Sequence, residues 1–261
     1  MADILTQIAE NNQKLYLDRK LNLSLSKMMD MAYAASGSDF AFEKKLKEEG
    51  MSFICECKKA SPSKGVISED FPYLQIAKDY ERAGASCISV LTEPKWFMGS
   101  LDYLEEIASE VSIPVLRKDF TVDEYMIYEA RARKASAVLL ICSILDSKTL
   151  GRYIRICDEL ELSALVEAHD KNECEMALGE GARIIGVNNR NLRDFTVDPS
   201  NCLRLREYVG DKAVFVAESG VKKREDIELL EREKVDAVLI GESMMRAEDK
   251  TEFLKALKGT A

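Results

Sequence analysis

The sequence contains one histidine, His169, and its seven cysteines never fall into a paired CxxC spacing. A zinc centre of the usual His/Cys type therefore lacks its ligands, and an odd number of scattered thiols fits reduced, cytoplasmic cysteines. No apolar run is long enough to span a membrane, and the first twenty residues alternate polar and apolar without the core of a secretory signal. There is no GxGxxG turn, so a dinucleotide-binding doubly wound domain lacks its usual mark. Positive charge is in deficit, with a formal net charge of -9. That balance speaks against a nucleic-acid or anionic-membrane surface while leaving room for a local basic pocket that holds a small anion.

What the chain does have is apolar content, 46% of 261 residues, ample for a large core. From about residue 50 onward, eight short β-prone runs recur: 53–57, 86–91, 113–116, 137–142, 163–166, 183–187, 213–217 and 236–240. Runs such as "AVLLIC" and "RIIGV" are apolar at nearly every position, as expected of parallel strands covered on both faces. Helical patterns such as "YLQIAKDYERAG" and "DEYMIYEARARKA" separate them. Eight β-then-α units predict an α/β protein, a (β/α)8 TIM barrel over residues 51–261, with an open doubly wound sheet as the alternative. Residues 1–50 predict an N-terminal helical extension that either caps the barrel floor or packs over the ligand end.

Working residues of such a barrel sit at the C-terminal strand ends and in the loops beyond them. In "FICECKKASPSKG", residues 53–65, strand alternation puts Ile54, Glu56 and Lys58 on one face and Phe53, Cys55 and Cys57 on the other. If the first set faces inward, the thiols are buried against helices rather than used for metal or redox work. Glu56 and Lys58 lie roughly 7 Å apart along the strand, as a structural ion pair or as functional groups. Lys118, Glu167, and the polar cluster Asn188, Asn189 and Arg190 extend the mixture of acids and amines at one mouth. Such a mixture suits proton transfer on an anionic, carbonyl-containing substrate without histidine machinery.

"VAESG" closes the seventh run and "LIGESMM" the eighth. Glycine-containing turns at these two positions, before a short helix, form the usual barrel phosphate cradle and predict a phosphorylated small-molecule ligand. The "SPSKG" stretch predicts a long, polar first loop of lid type. Trp96 and Phe97 in "TEPKWFMGS" either cover a flat ring or serve as core under their loop.

The motifs "ECKKASPSKG", "LTEPKWFMGS", "PVLRKDF", "LVEAHD", "IIGVNNRNL", "VAESGV" and "LIGESMM" occur in the order and at the strand ends found in indole-3-glycerol phosphate synthases, from about Phe53 to Met245. The resemblance implies a lyase of tryptophan biosynthesis. It would convert 1-(2-carboxyphenylamino)-1-deoxyribulose 5-phosphate to indole-3-glycerol phosphate, with loss of carbon dioxide and water. By position, Lys118 resembles the general acid and Glu167 the general base, assisted by Glu56. Lys58 resembles an electrostatic partner of the substrate carboxylate or a second acid, and Asn188 a positioning residue. Ser219, Gly220, Gly241 and Glu242 correspond to the phosphate-gripping turns, Ser61 begins the loop near the same substrate, and Phe97, Phe120, Arg190 and Leu192 resemble the wall around the anthranilate ring. A carboxylate at 242 suits a phosphate only if its side chain points outward and its backbone N–H faces the ligand. No cofactor, no metal, no nucleic acid and no membrane partner are implied, and a cytoplasmic monomer or weak oligomer is expected. Two other readings use the same barrel. One is a phosphoribosylanthranilate isomerase, which needs a cysteine near the end of strand one. The other is a non-catalytic phosphate-binding barrel.

Overall fold

A computed structural model describes residues 3–36, 38–191 and 195–260. Among these residues, eight parallel strands close into a barrel. They are β1 (Ser52–Cys57), β2 (Cys87–Leu91), β3 (Val115–Lys118), β4 (Ala137–Ile141), β5 (Ser163–Ala168), β6 (Ile184–Asn188), β7 (Val214–Glu218) and β8 (Ala237–Ile240), with β8 pairing back onto β1. Outside them run α4 (Tyr73–Arg82), α5 (Leu101–Glu110), α6 (Glu124–Ala132), α7 (Ser147–Glu159), α8 (Lys171–Gly179), α9 (Ser200–Val209) and α10 (Arg224–Arg232). The short α11 (Glu242–Arg246) and then α12 (Lys250–Lys258) follow β8. Sequence supplies the starts: Ser100, Asp123, Asp146 and Asp170 each accept a backbone N–H in the first turn of the helix that follows.

The alternation expected of strands divides the core into two layers. Ile54, Leu116, Leu139, Leu165, Ile184, Val216 and Leu239 fill the barrel interior. Phe53, Cys55, Cys57, Val138, Leu140, Ile185, Phe215 and Val238 pack outward against the helices. All seven cysteines are free and buried, and burial pushes the Cys57 thiol well above its ordinary value.

The strand boundaries depart from the sequence expectation by one or two residues at both ends. The third strand, expected at 113–116, lies at Val115–Lys118, with Leu91 paired to Lys118. Pro114 has no N–H, so it stands before the strand and contributes only its carbonyl, which accepts from Ile88 N at 3.0 Å. At the other end β3, β5, β6 and β7 continue through Lys118, Glu167, Asn188 and Glu218. Apolar patterning stops short there because polar side chains occupy inward positions that the register requires.

Residues before the barrel form α1 (Ile4–Asn22), α2 (Leu25–Ala34) and α3 (Ala41–Leu46). The two placements left open for this extension both occur, in different parts. At the floor, the α3 residues Phe42 and Leu46 enter the interior core, Glu43 N donates to Ser163 Oγ at 3.1 Å, and Arg183 Nε donates to Glu43 Oε2 at 2.7 Å. At the opposite end, α1 lies over the mouth. Asn12 Nδ2 donates to Asp119 Oδ1 at 2.9 Å and to the Phe120 carbonyl at 3.0 Å, and Tyr16 OH donates to Glu129 Oε2 at 2.7 Å.

Phe42 is fully buried and closes the floor of the interior layer. Phe42→Ala is expected to lower unfolding stability by about 3–5 kcal/mol, the usual effect of truncating a buried aromatic ring. Urea denaturation followed by circular dichroism measures it, and a loss below about 1 kcal/mol would contradict a floor held by this ring.

Candidate active site

The C-terminal ends of the strands surround a cavity of about 760 Å³. Its lower wall is the topmost inward layer of the barrel. Glu56 from β1, Lys118 from β3, Glu167 from β5, Asn188 from β6 and Glu218 from β7 all reach it, as does Lys58 just beyond β1. All are inward positions of the alternating pattern, so a period-two strand is what gathers them.

Two ion-pair groups stand side by side. Lys58 Nζ lies 2.5 Å from Glu56 Oε1. Lys118 Nζ lies 3.3 Å from Glu167 Oε2 and 3.5 Å from Glu218 Oε2. Burial alone would disfavour the Lys118 ammonium, but Glu167, Glu218 and Glu56 outweigh it and raise the group above the ordinary lysine value. For Glu167, too, burial is opposed and outweighed, here by Lys118 and His169, so its carboxyl is held well below the usual carboxylate range. Glu218 shifts the other way, to about 8, through burial and the neighbouring carboxylates Glu167 and Glu56, with Lys118 opposing. Two acids so close to one ammonium do not both ionise easily, and Glu218 is the one that keeps its proton at neutral pH. Close packing enforces this arrangement: a Cβ on Gly186 would fall 2.3 Å from Glu218 Oε1, and one on Gly241 would fall 2.5 Å from Glu56 Oε1.

The upper wall comes from the loops. Glu93, fully buried, accepts backbone N–H groups from Lys95, Trp96 and Phe97 at 2.7–3.0 Å, which fixes the loop after β2. That loop sets the Phe97 ring 6.0 Å from Phe120, both facing the cavity. Trp96 and Phe97 both pack partly against the interior core, and Trp96 carries Lys95 over its ring at 4.4 Å. Arg190 lines the cavity, and its backbone N–H donates to Asn188 Oδ1 at 3.0 Å. Asn188 Oδ1 also accepts from Ser219 Oγ at 3.0 Å. Ser219 and Gly220 form a left-handed turn with φ of 66° and 98°. Opposite it, Glu242 opens α11 with its side chain drawn to Arg246, Nε to Oε1 3.2 Å, and 4.0 Å from Lys64. The "SPSKG" segment is a two-stranded antiparallel ribbon, Ala60–Ser61 with Gly65–Val66, whose tip lines the cavity. Leu192 lies outside the described residues.

Comparison with known proteins decides the family. A model described as indole-3-glycerol phosphate synthase matches residues 5–257. The chain belongs to the indole-3-glycerol phosphate synthase family. It is similar to the indole-3-glycerol phosphate synthase of Ruminiclostridium cellulolyticum, 58% identical over 86% of this chain and 86% of the relative. To that of Endomicrobium trichonymphae it is 53% identical over 84% of each. Among solved structures, a thiamine phosphate pyrophosphorylase from Pyrococcus furiosus superimposes with a TM-score of 0.62 at 15% identity, covering 84% of this chain and 96% of that one, which shows the barrel fold alone. The activity is that of a carboxy-lyase in tryptophan biosynthesis acting on a phosphorylated small molecule.

Three features of this synthase site were not assigned from sequence. No site residue was expected before residue 50, yet Ile4, Leu5 and Ile8 of α1 line the cavity. Glu218 stood at a strand end without a role, and only the register shows it sharing Lys118 with Glu167. The third is His169, which stands behind the cavity wall with Nε2 3.3 Å from Glu167 Oε1 and Nδ1 3.0 Å from Glu173 Oε2. His169 sits two residues beyond Glu167, so the alternation that selected Glu56 with Lys58 would also have selected this pair. Among the described residues no group of three His, Cys, Asp or Glu side chains is placed to hold a metal ion.

Burial opposes the imidazolium of His169, but the pull of the Glu167 and Glu173 carboxylates prevails and raises it from 6.5 to about 10. Its folded value lies above its unfolded one, so the associated stabilisation is complete below about pH 6.5 and is lost as pH rises through about 10. The stability advantage of wild type over His169→Gln in urea is therefore expected to be greatest near pH 6 and to shrink steadily toward pH 10. An advantage independent of pH would contradict the charged imidazole.

Proposed function

We propose that Lys118 is the acid, Glu167 the base and Lys58 the carboxylate partner in the ring closure, decarboxylation and dehydration of 1-(2-carboxyphenylamino)-1-deoxyribulose 5-phosphate. The observation that carries this reading is the Lys118 ammonium lodged between Glu167 and Glu218 in the cavity that also holds the Glu56–Lys58 pair. Ring closure turns a ketone oxygen into an alkoxide, and a buried ammonium kept charged by the acidic side chains around it is ready to protonate it. Lys58 lies on the same wall, where it meets the carboxylate of the attacking ring carbon. Loss of carbon dioxide then returns the bonding pair to the ring. Dehydration needs a base for a carbon-bound proton, and Glu167, held ionised, has the right charge. Glu56 holds Lys58 in place, Glu218 holds Lys118, and Asn188, fixed by Arg190 N and Ser219 Oγ, orients the leaving hydroxyl.

The phosphate goes to the turn at Ser219–Gly220 and to the start of α11 at Gly241–Glu242, with Ser61 on the ribbon beside it. Glu242 bonds Arg246, whose guanidinium offsets its charge beside that turn. Phe97, Phe120 and Arg190 enclose the aromatic ring, and Leu192 is proposed for the same wall. The isomerase alternative loses support because Cys57 packs outward among the helices. Cytoplasmic location and a monomeric state complete the proposal.

The test is turnover of the carboxyphenylamino deoxyribulose phosphate, followed by indole fluorescence. Lys118→Ala and Glu167→Gln are each expected to lower kcat by about 10²–10⁴-fold, with KM within a few-fold of wild type. Wild-type turnover in the Lys118 variant would overturn the acid, and in the Glu167 variant the base.

A further inference from the structure

Glu167 has a different neighbour at each carboxylate oxygen. Oε2 faces Lys118, and Oε1 faces His169 Nε2 at 3.3 Å. That second pair is within reach but out of alignment, and both atoms are buried with no hydrogen-bond partner. Two buried polar atoms left open to each other are a costly arrangement, and a small rotation of the ring converts it into a bond along which a proton can pass. Beyond the ring, His169 Nδ1 lies 3.0 Å from Glu173 Oε2 in the first turn of α8. The same oxygen accepts the His169 backbone N–H at 2.7 Å, and Asn201 Nδ2 donates to the His169 carbonyl at 3.1 Å, so the backbone that carries the ring is held from both sides. Side-chain exposure is 1% at Glu167, 21% at His169 and 19% at Glu173. His169 does not line the cavity.

We propose that Glu167, His169 and Glu173 form a proton relay connecting the base inside the cavity with water outside it. This rests on the proposed role of Glu167.

Chemical balance gives the relay a task. The substrate enters as a carboxylate and leaves carbon dioxide, water and an indole. Ring closure places one proton on the ketone oxygen, departure of hydroxide as water takes a second, and the base recovers one from carbon. Each turnover therefore consumes one proton. Glu167 can hand its recovered proton to Lys118 directly, so the remaining one comes from solvent while the ligand covers the cavity. The imidazolium, between two carboxylates, releases its Nε2 proton to Glu167 Oε1, and Glu167 passes a proton on to the Lys118 amine facing Oε2, so that Glu167 does not stay protonated. The ring is then recharged from water by way of Glu173 on its Nδ1 side.

The experiment measures kcat and KM of wild type, His169→Ala and Glu173→Gln at rising imidazole concentration, at fixed pH and ionic strength. Wild type is expected to be indifferent to imidazole. His169→Ala is expected to lose about 10-fold to 100-fold in kcat with KM within about twofold, and to recover most of the loss as imidazole rises. A wider solvent deuterium isotope effect should accompany the unrescued state. Glu173→Gln, which keeps the ring, is expected to lose kcat at smaller amplitude, with the same isotope effect and no recovery with imidazole. An unchanged kcat in His169→Ala, or a loss in that variant, when folded, that imidazole does not restore, would overturn the relay. If His169→Ala does not fold, Glu173→Gln decides by kcat and its solvent isotope effect, and wild-type values of both overturn the proposal. Glu167→Gln separates the two levels: its inactivity beside an unaffected His169→Ala removes the relay alone, whereas its full activity removes the base assignment and the relay with it.

Discussion

The site is organised around one buried ammonium. Lys118 enters the barrel from the end of β3 and is held at 3.3 Å by Glu167 and 3.5 Å by Glu218. Charge buried this deeply survives only when it is paired and positioned, so the strands that carry the partners must stay in register. Gly186 leaves the space for Glu218, and Gly241 leaves it for Glu56. A second buried network stands behind the same strand. Arg117, 1% exposed, bonds Tyr16 OH at 2.5 Å and the Met126 carbonyl at 2.7 Å, and lies 3.3 Å from Asp119. Through it α1 is tied to the two residues on either side of Lys118.

That connection explains why the extension before the barrel belongs with the site. Its first turns put Ile4, Leu5 and Ile8 into the cavity wall, while Asn12 holds Asp119 and the Phe120 carbonyl. The helix thus covers the ligand end and braces the segment that carries the ammonium. The floor, by contrast, is closed by α3 through apolar packing of Phe42 and Leu46.

Much of this was legible in the sequence because strands obey a period of two. Alternation at Phe53–Lys58 separated the outward cysteines from Glu56 and Lys58, and the motif order identified Lys118, Glu167 and Asn188 at their strand ends. Less legible were relationships set by contacts between strands or between distant segments. Glu218 becomes meaningful only beside Lys118, from a strand about a hundred residues away. Asn12 has no local pattern that points to Asp119. His169 was visible as the only histidine, but its position behind Glu167 depends on Glu173 reaching back from α8. Strand ends were misjudged for the same reason that the site exists: the inward polar residues there interrupt the apolar pattern by which strands are recognised.

The claim on which the account turns is that the carboxylates keep Lys118 charged. Selective ¹⁵N labelling of lysine, with the Lys118 side-chain resonance assigned by loss in Lys118→Met, reports its protonation directly across a pH titration. The account predicts an ammonium that persists at pH 10.5, where an ordinary lysine is half neutral. Titration of Lys118 below that value would contradict it.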